Sequence, residues 1–211
     1  FKDLEKKYKG LSFATIMNQG DYINIIIKSV LSSILLGAIL AIIVLALFLK
    51  DIRPTIVVAF SIPFSVLFAI IIMYFTGINI NVMSLAGLCL GIGMLVDNSI
   101  VVMENVYRFR NEGMSAPKAA VRGTAQVAGP ILASTITTIC VFLPMVYTSG
   151  MVSQLLIPFA FTISYALIAS LLVALTVVPT MGSILLRKTK EVKQPWFDKI
   201  KDVYGRILEL A

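Results

Sequence analysis

The chain contains no histidine and only two cysteines, and charged residues fill just 14% of its 211 positions. Without histidine, the usual metal sites and nucleophile–base pairs cannot be assembled. Two cysteines make neither a disulfide framework nor a paired-cysteine metal motif. An enzyme is therefore not expected. Charge is also missing over long stretches: there is none between Arg53 and Asp97, and none from Gly123 to Leu186. A soluble domain does not carry such runs. Apolar residues replace it, at 58% of the chain with a mean hydropathy of +0.94, against roughly 45–50% in soluble domains. Cys89 and Cys140 fall inside the apolar runs and read as small buried apolar residues. The 18 Lys and Arg outnumber 11 Asp and Glu, a balance that could suit nucleic acid. Most of these cations, however, lie in short loops beside apolar spans, where they orient a chain in a bilayer. Lipid is the expected partner, and nucleic acid is not.

Spacing of charge, proline and glycine predicts an all-α polytopic membrane protein with five transmembrane helices, at about 25–49, 54–75, 83–109, 116–147 and 153–186. Each reaches the ~20 apolar residues that a bilayer crossing needs. Residues 1–24 are the least membrane-like: Leu11 to Met17 reads as a short strand and Asn18 to Asp21 as a turn. Pro54 suits the first turn of the second helix and Pro63 a kink within it. Ser115 is an expected cap of the fourth helix, with Pro117 in its first turn. Pro130 and Pro179 are further expected kinks. Residues 189–211 form an expected amphipathic surface helix. Trp196, Phe197, Ile200 and Tyr204 share its apolar face, opposite Lys199, Lys201 and Arg206. Loops 50–54 and 107–123 and the C-terminal stretch hold most of the basic residues, whereas the turns near 76–82 and 147–154 hold none. The basic loops and the C-terminus are therefore expected in the cytoplasm. The N-terminal lysines break this rule unless they belong to a long exported domain.

The stretch from Gly91 to Asn105 carries the chemistry. Asp97 lies deep in apolar sequence, where an ionisable group costs at least about 2.5–3.5 kcal/mol and is normally kept for function. Helical spacing lines up Leu90, Gly93, Asp97 and Glu104, with Gly87, Gly91, Asn98 and Asn105 on the adjoining face. Gly87, Gly91 and Gly93 are expected to let another helix approach closely and shield the acid. Burial disfavours a charged carboxylate, so an acid held in such a place is suited to loading and releasing a proton. Asn98 would be its hydrogen-bonding neighbour. Glu104, about 10 Å further along, is a weaker second acid that could instead pair with Arg108 at i+4. Asn105 reads as a helix-packing hydrogen bonder. The hydroxyls from Ser134 to Thr138 are expected to bond back to their own helix, and the nine methionines read as core filler.

Gly91-x-Gly93-x-x-Val96-Asp97-Asn98-x-Ile100-Val101-Val102-x-Glu104-Asn105 resembles the fourth transmembrane helix of resistance–nodulation–division (RND) exporters, in their hydrophobe/amphiphile-efflux branch. Phe48 to Thr55 is similar to the turn between that family's second and third helices. Gly77-Ile78-Asn79-Ile80-Asn81 is similar to the turn before the fourth. The resemblance runs along essentially the whole chain but covers only a minor part of a family member. It implies a piece of a longer protein: the end of an extracytoplasmic porter domain (1–24), helices two to six, and a surface helix. A start on Phe1 rather than Met agrees with this.

The function implied is proton-driven export of drugs or other amphiphiles across a bacterial plasma (inner) membrane, by secondary antiport and with protons rather than a cofactor. Asp97 would be the relay, engaging a lysine on a helix of a second half. That lysine is missing here, since no Lys or Arg lies in the apolar interior of another span, so the piece alone should not transport. The resemblance also implies a homotrimer and a periplasmic or cell-envelope adaptor. Members of the family often have a second Asp where this chain has Asn98. Three other readings compete. A translocase accessory subunit would have an acid followed by Arg, but Glu104 is followed by Asn105. A sterol- or lipid-sensing module also has five related spans. A self-associating scaffold would use the glycine faces.

Overall fold

The computed structural model describes residues 8, 19–49 and 51–188, apart from a few side chains in the first helix. The expected N-terminal strand and the expected surface helix carrying Trp196, Phe197, Ile200 and Tyr204 lie outside the described residues.

Five helices account for nearly all of what is described: α1 (Gln19–Leu49), α2 (Ile52–Thr76), α3 (Val82–Asn111), α4 (Ala116–Val146) and α5 (Ser153–Leu185). A single 3-10 turn, Gly150–Val152, precedes α5, and another, Leu186–Lys188, follows it. There is no strand among the described residues. Three helices, α2, α3 and α4, and the segment Gly150–Leu185 are long and apolar enough to cross a membrane. In α1 the described apolar stretch is shorter, Asn24–Leu40. The chain is an all-α membrane protein, as its composition implies.

Local chemistry sets the helix ends. Asp51 caps α2 by accepting a hydrogen bond from the Arg53 amide at 3.0 Å, which starts the helix at Ile52, ahead of Pro54. Gly77 ends it at φ 71°, a left-handed conformation that glycine adopts without a Cβ clash, and the Ile78 amide reaches back to Met73. Asn81 and Ser84 form a reciprocal capping box at the start of α3. Ser115 occupies the cap position of α4 but its hydroxyl makes no capping bond. Of the expected turn at 18–21, Asn18 lies outside the described residues and Gln19 to Asp21 are helical. They already belong to α1, where Asp21 complements the helix N-terminus, so residues 19–24 are helical.

α3 and α5 form the centre of the bundle. α3 touches all four other helices, and α5 packs along α2, α3 and α4. The core has two parts. One, around Val57, Val102, Met103, Val106 and Val178, lies toward the α3–α4 turn. The other, around Ala69, Leu88, Leu95 and Ala166, lies toward the α2–α3 turn. α4 is peripheral: only 11% of its most apolar window is buried, against 50% for the α5 segment. Cys140, on that outer helix, is exposed and Cys89 is half-buried, so neither is the buried apolar residue expected.

Candidate functional site

The glycine row of α3 seats that helix on α5. A Cβ at Gly87 would lie 2.8 Å from the Phe159 carbonyl oxygen, and one at Gly91 would lie 2.8 Å from the Ala166 Cβ. Only a hydrogen fits at either position. Opposite them α5 presents Thr162, Ala166 and Ser170, all buried. Further along the same row, the Ser170 hydroxyl donates to the Leu95 carbonyl at 2.6 Å. The Asn98 amide nitrogen reaches both Ser170 Oγ and Thr135 Oγ1 at 3.4 Å. Asn98 thus ties α3 to α4 and α5 rather than turning toward Asp97. The single Ser170 proton is committed to Leu95, so its oxygen faces Asn98 as an acceptor and needs a donor opposite. An amide supplies one and a carboxylate does not. Asn98→Asp is therefore expected to cost about 1–3 kcal/mol, read as a lower unfolding temperature in detergent.

Asn105 completes the row. Its amide donates to the Gly123 carbonyl at 2.7 Å and to Gln126 Oε1 at 3.1 Å. The fit is again glycine-dependent, because a Cβ at Gly123 would lie 2.8 Å from Val106 Cα. Beyond it, Arg110 donates to the carbonyls of Leu186 and Met114, both at 3.0 Å, joining the ends of α3 and α5. Arg110→Ala should lose about 1.5–3 kcal/mol, since bonds from a charged donor are the stronger kind. Urea unfolding of the detergent-solubilised protein measures that loss.

Asp97 occupies the other side of the helix. Leu90, Gly93, Met94, Asp97, Val101 and Glu104 are all exposed, and a Cβ on Gly93 would have nothing within 4 Å. The expectation that Gly93 packs against a helix, and that neighbouring rows close over the acid, does not hold within the described residues. The reason is angular. Neighbouring residues on a helix diverge by about 100°, so only one row can face α5, and the Gly87–Gly91–Asn98–Asn105 row is the one that fits. Glu104 does not take Arg108, which pairs with Glu112 at 3.7 Å and donates to Gln126 at 3.0 Å.

The hydroxyl cluster divides. Thr137 and Thr138 bond back to Ala133 and Ser134, as expected, whereas buried Thr135 turns inward to Asn98. Ser170, Gly123 and Gln126 were not singled out by sequence reasoning. For Ser170 a signal existed, because Ala166, Ala169, Ser170 and Ala174 form a small-residue row on α5 that matches the glycines of α3.

Fold and site together define a multi-pass helical membrane protein with one ionisable row on its central helix, left open on the outside of the bundle. The comparisons name the group. Residues 3–210 match the model of the AcrB/AcrD/AcrF family, and the chain belongs to that family of RND transporters. It is 34% identical over 218 aligned positions to the swarming motility protein SwrC of Bacillus subtilis, across 100% of this chain and 21% of that protein. It is 38% identical over 148 positions to the multidrug resistance protein MdtC of Escherichia coli, across 70% of this chain and 14% of that one. Among solved structures it resembles a heavy metal efflux pump, with a TM-score of 0.70 and 32% identity, over 84% of this chain and 18% of the pump. The chain thus spans about a fifth or less of the length of these relatives. That family is one of transporters.

Proposed function

We propose that the chain is part of the proton-translocating membrane region of an exporter of drugs or other amphiphiles, driven by proton antiport across a bacterial plasma membrane. Asp97 is the relay carboxylate in this reading. The observation that carries it is the position of this acid. It lies about 22 Å along a helix some 45 Å long, at 1.5 Å per residue, with its own face open while the opposite face is locked to α5. An acid at mid-bilayer depth is costly unless it faces a protein partner or water. An open row beside Gly93 suits a second helical surface bearing a basic side chain, which would bind the carboxylate and release it on protonation. That surface belongs to the remainder of a longer protein, so these residues alone would not transport. Glu104 lies nearer the end bearing the basic loops and would pass protons to that side. Loops 50–54 and 107–123 and the C-terminus would be cytoplasmic, and the assembled protein a homotrimer working with a cell-envelope adaptor.

The named functions of relatives support export over a sterol-sensing or translocase role. They leave two cargo classes, amphiphilic drugs and heavy metals, and the experiment separates them. The full-length protein, with Asp97 or with Asp97→Asn, is expressed in an efflux-deficient strain, which is then challenged with lipophilic cations and with soft-metal salts. Protection against the organic compounds, lost in the variant, is the expected result. Protection that survives Asp97→Asn removes the relay role, and protection against metals alone reassigns the cargo.

A further inference from the structure

At the foot of α4, Met114, Ser115, Pro117, Lys118, Val121 and Arg122 line an open pocket of about 800 Å³. Lys118 and Arg122 are both exposed and sit one turn apart on one face, a spacing at which like charges repel. Acids in the adjoining turns are already engaged. Asp51 caps α2, and Glu112 pairs with Arg108. The pocket therefore carries two positive side chains that form no ion pair among the described residues.

The same face continues up the helix as bare hydrocarbon. Positions 118, 122, 132 and 136 fall on one stripe at 3.6 residues per turn, and Leu132 and Ile136 are 46% and 51% exposed. Arg122 lies about 15 Å from Leu132 along the axis, which is half the ~30 Å hydrocarbon thickness of a bilayer. Cations at the interface, followed by one leaflet's depth of exposed apolar surface on a peripheral helix, complement an anionic phospholipid in both charge and length.

We propose that an anionic phospholipid binds here, with its phosphate between Lys118 and Arg122 and its acyl chains along the exposed face of α4 as far as Leu132. The site needs only the membrane-spanning fold and is independent of the cargo or of Asp97. Native mass spectrometry of the delipidated full-length protein tests it, titrating phosphatidylglycerol against phosphatidylcholine of the same acyl chains. The expected result is one tightly held phosphatidylglycerol per chain that the double variant Lys118→Ala/Arg122→Ala holds far more weakly. Removing each cation weakens binding roughly fivefold, and removing both weakens it about 25-fold. The charge-preserving pair Lys118→Arg/Arg122→Lys retains the lipid. Both side chains are exposed, so the lipid-free variants should melt at the wild-type temperature. Equal retention of the two lipids, or undiminished phosphatidylglycerol binding by the alanine pair, overturns the proposal. Displacement by excess inorganic phosphate also overturns it, because the site would then serve a free anion.

Discussion

If Asp97 is the proposed relay, export by the full-length protein is expected to fall on the order of 100-fold when Asp97 becomes Asn, the scale at which a positioned proton-transfer group contributes. Asparagine keeps the size of the side chain and most of its hydrogen bonding, and removes only the exchangeable charge. Asp97 takes no part in the packing that joins α3 to α4 and α5, since that work falls to Gly87, Gly91, Asn98 and Asn105. Expression and unfolding temperature should therefore be unchanged while transport is lost. A fluorescent substrate and a pH-sensitive dye in the same proteoliposomes measure both fluxes at once, and both should stop together. Glu104→Gln, on the same open face but nearer the helix end, should lower the flux less than Asp97→Asn does. If Asp97→Asn instead lowers the unfolding temperature and the transport in parallel, the acid is a packing residue and the relay role fails.

Gly91→Leu carries the largest expected loss of stability, about 3 kcal/mol or more, at the upper end of overpacking penalties. The nearest atom to a new Cβ there is the Ala166 Cβ at 2.8 Å, which is fixed to its helix and cannot swing aside. The helices must separate, and the Ser170–Leu95 hydrogen bond one turn away stretches with them. Gly93, two residues on, gives the opposite outcome. With nothing within 4 Å of its added Cβ, Gly93→Ala should gain up to about 1 kcal/mol of helix propensity. Thermal unfolding in detergent distinguishes the two. Gly93→Leu adds a further test: it should leave the helices of this chain folded yet impair export by the full-length protein, if a second surface docks over Asp97. A Gly91→Leu protein as stable as wild type would falsify the close seating of α3 on α5.

Much of this was legible in the chain. Uncharged runs bounded by Lys28, Lys50, Arg53, Arg122 and Arg187 mark the spans, because a bilayer admits few charges and forces the backbone to bond within each helix. The polar positions of α3 were also visible, since Gly91, Asp97, Asn98 and Asn105 stand out in apolar surroundings. Their partners were not. Thr135 differs little from Thr137 in sequence, yet it bridges two helices while its neighbour bonds to its own backbone. Nothing local distinguishes them, as the choice depends on where α3 lies.

By itself, then, the sequence determined that the chain is helical, membrane-embedded and equipped with one deep acid, because hydropathy and 3.6-residue spacing are local properties. Tertiary structure alone decided which side of α3 is covered. The two glycine-bearing rows of that helix are nearly equivalent in pattern. Only one finds the Phe159–Ala166–Ser170 surface of α5 at contact distance, and rigid helical geometry then turns Asp97 outward.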